Sequence, residues 1–190
     1  MYKHCTTEES AQRQKQLEQC LLELMAEIPY SGITIGQICE KVNLSRKSFY
    51  RYFDSKEDCL NALLDHVIMG GSTYCMEGSG SSHTDLTFCI RFFEYWQQQT
   101  PLLDVLEKNG LSLQLLQRIV RYILEEEPAY ATYMGISPSD LMEHVVFLVN
   151  GMMGMVLTWH HGRYEKTAVQ MGHILYRLMQ RQTGKGDDVI

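Results

Sequence analysis

Proline is scarce in this 190-residue chain, 4 in all, so little interrupts helix, and the many Leu, Met, Glu and Gln residues favour it. The 6 cysteines, at 5, 20, 39, 59, 75 and 89, include no close pair. That excludes the Cys-x-x-Cys spacing of zinc and dithiol sites. Cys20, Cys39 and Cys59 fall among apolar residues at helical spacing, where a reduced thiol acts as a small core side chain. No apolar run reads as long enough to span a bilayer, and the opening MYKHCTTEES lacks the apolar stretch of a secretory signal. A cytoplasmic protein is expected. Glycine-rich phosphate loops, the nucleophile elbow and HExxH are also missing, so neither an enzyme nor a cofactor is expected. His144, His160, His161 and His173 lie in the last two helical segments. Adjacent histidines point to different faces of a helix, so no metal site is expected.

What is present is helical periodicity in two stretches of different character. Leu17, Cys20, Leu21, Leu24, Met25 and Ile28 recur at steps of three and four, and Pro29 ends that helix. Thr34 can cap a second helix with Ile35, Ile38, Cys39 and Val42 facing inward. Asn43 then stands at a turn, where asparagine tolerates a left-handed backbone. Ser45 caps a third helix from Arg46 to Phe53, and a fourth begins near Ser55, with Glu57 and Asp58 suited to its N-terminus. The stretch EGSGSSHT at 77–84 reads as a flexible loop. Beyond it, helices are expected from Thr84 or Asp85, from Thr100, from Ser112 to Glu126, from Ser139 to His161 and from Lys166 to Arg181. The expected fold is all-α with about nine helices. A three-helix unit over residues 1–55 is followed by a helical body over 56–190, and a helix from about 55 links the two.

The whole chain carries a formal net charge of -6. Within LSRKSFYRYF at 44–53, however, Arg46, Lys47 and Arg51 gather with no acid among them. Phe49 and Phe53, four apart, should pack inward and leave Arg46, Lys47, Ser48, Tyr50 and Arg51 outside. The second helix, the turn at Asn43 and the third helix make a helix-turn-helix, which sets its second helix in the DNA major groove. Arginine reaches guanine edges bidentately, and hydroxyls serve bases or phosphates. Tyr52 and Lys56 stand where phosphate contact is natural. Acids outnumber bases across the first 66 residues, so the argument rests on local charge. The alternative is a helical module that docks an acidic protein through Arg46 and Lys47 and binds no DNA.

The stretch ITIGQICEKVNLSRKSFYRYFDSKEDCLNALL, Ile33 to Leu64, resembles the DNA-binding domain of the tetracycline-repressor (TetR/AcrR) family of bacterial regulators. The matching features are Thr34, Val42-Asn43-Leu44-Ser45 at the turn, Phe49-Tyr50 and Tyr52-Phe53, and Ser55-Lys56-Glu57, within roughly 15–66. The resemblance implies a homodimeric regulator, a repressor released by a small effector, or else one controlled by a protein partner. It implies phosphate contacts by Thr34, Tyr52 and Lys56, and base-proximal contacts by Arg46, Lys47, Ser48 and Tyr50; Ser45 and Arg51 complete the expected DNA face. Asn43 replaces a common glycine, and Arg46-Lys47 replace small residues, which suggests an operator of its own.

A single helix-turn-helix covers few base pairs, so two copies on an inverted repeat are expected. The segment LMEHVVFLVNGMMGMVLTWHHG and the final helix offer the apolar surface. Val149, Met152, Met153, Val156, Met171, Leu175 and Leu178 are the candidate dimer contacts, and the family resemblance implies a four-helix interface there. Phe147 to about Met179 also resembles regulators found near dihydroxyacetone-kinase genes. Phe88, Phe92, Trp96, Tyr122, Tyr133, Phe147 and Trp159 are candidate walls of an effector pocket, suited to an apolar or weakly polar compound.

Overall fold

A computed structural model describes residues 7–77, 85–126, 131–132 and 135–182. Among them there is no strand. Helix α1 spans Glu8–Glu27, and a 3-10 turn covers Tyr30–Gly32. Helices α2 (Ile35–Lys41), α3 (Arg46–Phe49), α4 (Lys56–Met76) and α5 (Leu86–Gln98) follow. Then come α6 (Thr100–Lys108), α7 (Ser112–Glu126), α8 (Leu141–His161) and α9 (Ala168–Gln182). The all-helical expectation holds. Most of the stretch read as a flexible loop, 78–84, lies outside the described residues.

Side-chain caps fix the helix starts. The Thr7 hydroxyl accepts from the Ser10 amide, and the Asp85 carboxylate accepts from the Phe88 amide at 2.6 Å. The last helix begins at Ala168, later than the expected Lys166. Thr167 and Gln170 bond reciprocally there, Oγ1 from the Gln170 amide and Oε1 from the Thr167 amide, as a capping box. The third helix is also shorter than expected. After Phe49 the chain tightens, with the Arg51 amide donating to Ser48 and the Tyr52 amide to Phe49 across three residues.

By compactness the chain divides into two units. The first holds the described residues up to Val67 together with Asp104–Arg118, and the second holds Ile68–Leu103 and the described residues from Ile119 onward. Helix α4 therefore contributes to both, the division falling between Val67 and Ile68.

The core of the first unit comprises Leu17, Leu21, Met25, Ile38, Phe49, Phe53, Leu60 and Leu64, all essentially inaccessible. The rings of Phe49 and Phe53 meet at 5.5 Å. The Cys20 thiol donates to the Ile38 carbonyl, consistent with a thiol serving as core.

In the second unit α5 packs against α9 and α8. Gly172 makes the first crossing possible: a Cβ there would stand 2.7 Å from the Ile90 Cα. The Phe93 and Trp159 rings meet edge to face at 5.4 Å. Burial pushes the Cys75 and Cys89 thiols up to about 12, so neither is a ready nucleophile.

Helix α8 is, by length and composition alone, apolar enough to cross a membrane, with a mean hydropathy of 1.5 over an 18-residue window, 28% of which is buried within the protein. Glu143 and Asn150 interrupt the run without lowering its average enough to disqualify it.

Candidate nucleic-acid interface and cavity

The turn into α2 is built from sequence-local bonds. The Thr34 hydroxyl accepts from the Gln37 amide, and the Gln37 side-chain oxygen accepts from the Thr34 amide at 2.8 Å. This Thr-x-x-Gln pattern could have been read directly from the sequence. At the other end Asn43 takes φ 52°, the left-handed conformation that lets the chain turn sharply. Ser45 then caps α3, its Oγ accepting from the Ser48 amide at 3.1 Å and lying 2.9 Å from Ser48 Oγ.

These bonds orient the basic face. Phe49 is fully buried, and Arg46, Lys47, Tyr50 and Arg51 are exposed, with Thr34 and Ser45 exposed beside them. Ser48 and Tyr52 are half-buried. Arg46 is not extended freely: a Cβ on Gly36 would lie 2.8 Å from its Nη2, so the guanidinium rests against the backbone of α2. Tyr50 meets Phe49 edge to face at 5.8 Å, anchoring a ring that is 47% exposed.

Lys56, expected at a phosphate, makes contacts within the protein. Its ammonium donates to the carbonyls of Tyr30 at 2.7 Å and Ile33 at 2.9 Å, and lies 4.3 Å from the centre of the Tyr30 ring. It braces the turn that leads into α2.

The same turn is held from far along the chain. The Asn109 carbonyl oxygen accepts from the Tyr30 amide, and its NH2 donates to the carbonyls of Met25 and Val105. Lys108 donates to the Ala26 carbonyl. Arg118 forks onto Asp65, and Gln114 donates to Asn61. Sequence reasoning missed this set, because no local pattern links positions so far apart.

The second unit contains a cavity of about 130 Å³. Four of the expected aromatic walls, Phe88, Phe92, Trp96 and Tyr122, line it. Phe147 does not; it is 64% exposed. Trp159 is buried elsewhere, its Nε1 donating to the Lys166 carbonyl. Tyr133 lies outside the described residues.

The candidate dimer contacts lie mostly in the core of the second unit. Val149, Met152, Met153, Val156, Met171 and Leu175 are buried within the subunit, and three of them, Val149, Met152 and Met153, line the cavity. Of the seven, Leu178 alone is exposed, at 45%. A stripe with one apolar side packs its own core first; the large apolar side chains left outside on these helices are Met142, Val146, Phe147, Val169 and Leu178. Among the described residues no group of three or more His, Cys, Asp or Glu side chains is arranged to hold a metal ion.

Residues 21–63 match the family described as bacterial regulatory proteins, tetR family. No curated protein sequence matches the chain. Solved structures share its fold, three among them as follows. One, designated a TetR-family transcriptional regulator from Syntrophomonas wolfei, has a TM-score of 0.65 at 17% identity, covering 95% of this chain and 99% of that one. A tetR-family transcriptional regulator from Streptomyces coelicolor has a TM-score of 0.58 at 17% identity, covering 92% and 82%. The fatty acid degradation regulator FadR from Bacillus halodurans has a TM-score of 0.57 at 15% identity, covering 88% and 94%. At such identities the likeness speaks for the fold, whereas the matched segment contains the turn at Asn43 and the basic face of α3. That match supports DNA-binding transcriptional regulation: the segment 21–63 is similar to the DNA-binding part of the tetR family of bacterial regulatory proteins.

Proposed function

We propose that this protein is a homodimeric repressor that binds an inverted-repeat operator and leaves it when a small molecule occupies the cavity of its second unit. The observation that carries the reading is the exposed cationic face of α3 and the turn after it, Arg46, Lys47 and Arg51, set by the left-handed turn at Asn43. Residues 1–55 act as the DNA-binding domain and residues 56–190 as the effector and dimerisation domain. Arg46, Lys47, Ser48 and Tyr50 contact bases; Thr34, Ser45, Arg51 and Tyr52 contact phosphates. Lys56 acts mainly by holding the turn before α2.

The dimer reading draws on α8 and on geometry. One recognition helix reads a few base pairs, so half-sites about 34–36 Å apart call for a second copy. The exposed Met142, Val146, Phe147, Val169 and Leu178 are the apolar surface such a contact would cover. Effector binding then acts by favouring a conformation in which the half-sites are wrongly spaced.

Affinity capture of sheared genomic DNA on the purified protein, with sequencing of the bound fragments, tests this. The expected result is one enriched inverted repeat. Diffuse recovery that vanishes at moderate salt would mean phosphate contact alone and would sink the reading. The Arg46→Ala protein should lose about 1–3 kcal/mol on that repeat and relax discrimination at one position.

A further inference from the structure

We infer that the cavity takes a small, uncharged, aromatic molecule of about one ring, and that it discriminates against both carboxylates and long acyl chains. The inference rests on the reading of this cavity as the effector site. Size sets the first limit. A volume of about 130 Å³ is close to that of an engineered apolar cavity of about 150 Å³ known to bind benzene. One ring with a short substituent fills it, and a long acyl chain does not.

Charge sets the second limit. Among the described residues no lysine, arginine, histidine, aspartate or glutamate lines the cavity; the polar side-chain groups there are the Ser72 hydroxyl, the Cys75 thiol, the Trp96 indole N–H and the Tyr122 phenol. An ionised ligand would give up hydration with no counter-charge to replace it. Burial pushes the Cys75 thiol up to about 12, so it is protonated near neutral pH and the ligand is held without a covalent bond.

The wall chemistry sets the third. Phe92 and Trp96 stand edge to face with centroids 6.5 Å apart. Rings so arranged offer edges and faces to another ring. Met152, Met153 and Met179 supply thioethers that adapt to the ligand's outline and contact aromatic edges favourably. Aliphatic walls alone would have no such preference.

Trp96 lines the cavity, and the chain's other tryptophan, Trp159, does not. Tryptophan fluorescence of the full-length protein, alongside calorimetry, therefore reads occupancy without DNA. The probes are toluene and p-cresol, benzoate as the charged analogue of equal size, and decanoate as the acyl chain. The expected result is saturable binding of both neutral rings, with Kd on the order of 0.1 mM or tighter, and at least tenfold weaker binding of benzoate and decanoate. Ser72→Leu and, independently, Leu148→Phe should each fill the space and weaken toluene binding at least tenfold, with circular dichroism reporting the fold of both. Tighter binding of benzoate or decanoate, no saturable binding of either ring, or full binding by both well-folded filled variants would overturn the inference. Binding with these preferences but without release of the captured repeat would leave the ligand class standing and remove the cavity from regulation.

Discussion

The side-chain oxygen of Asn109 accepts a hydrogen bond from the backbone amide of Tyr30 at 2.6 Å, across 79 positions of sequence. Asn109 also donates to the Met25 carbonyl in the last turn of α1 and to the Val105 carbonyl of α6, the helix that it follows. One amide thus ties the corner between α6 and α7 to the turn that precedes the helix-turn-helix. Asn109→Ala leaves a half-buried set of backbone groups unpaired. It should destabilise the fold by about 1–3 kcal/mol in urea unfolding. It should also speed amide exchange at Tyr30–Thr34 more than elsewhere in the first unit. Uniform exchange across the unit would show that Asn109 does not position the turn.

Gly36 and Arg46 allow stability and recognition to be separated. A methyl at Gly36 meets only the movable tip of Arg46, at 2.8 Å from Nη2. Alanine is a better helix former than glycine by up to about 1 kcal/mol. Gly36→Ala should therefore unfold at the same temperature as wild type or a few degrees higher, while operator affinity falls several-fold because the guanidinium is displaced. Unaltered affinity, with stability kept, would mean that Arg46 does not read DNA from its resting place against α2.

Phe147 and Leu178 test the dimer surface. Both are large, apolar and exposed, at 64% and 45%. Replacing both with glutamate should change the stability of a single subunit by little, within about 0.5 kcal/mol per site. Sedimentation equilibrium should report a dimer for wild type and a monomer for the double variant. A wild-type monomer at operator-binding concentrations would remove the dimer, and a dimeric double variant would move the contact elsewhere.

His66 gives the fold a pH dependence of known sign. Its Nδ1 lies 2.7 Å from Oε2 of Glu18, a residue only 3% exposed. That hydrogen bond raises the imidazole's pKa, and burial opposes it. A histidine held more basic in the fold than in the unfolded chain stabilises fully below its unfolded value, about 6.5. That contribution is lost as pH rises through the higher folded value. Urea midpoints should accordingly fall for wild type as pH is raised from about 6 through the folded value, and His66→Gln should flatten that decline. Parallel pH profiles for the two proteins would rule out the pair as its source.

Local rules carried much of this protein from the sequence. Helix caps at Thr34, Ser45 and Asp85 use a hydroxyl or carboxylate within three residues of the amide it bonds, so each leaves a short-range pattern. Asn43 could be assigned its left-handed turn because few other side chains tolerate one. The outward setting of Arg46, Lys47 and Arg51 followed from Phe49 and Phe53 four residues apart. Three cavity walls, Phe88, Phe92 and Trp96, were legible for a similar reason: aromatic residues four apart on one helix turn to one side.

Only the tertiary structure decided which apolar side of a helix faces its own subunit. Val149, Met152 and Met153 on α8 read as an outer contact, yet they are buried against the rest of the second unit, while Phe147 points outward. Hydrophobic periodicity reports that a face is apolar and carries no information on which partner covers it. The same limit hid Lys56 beneath the Tyr30 turn, and Asn109 and Arg118 in their contacts with α1 and α4. Such bonds depend on segments brought together by chain folding, and a polar side chain has the same sequence signature whether it meets solvent, phosphate or a distant carbonyl.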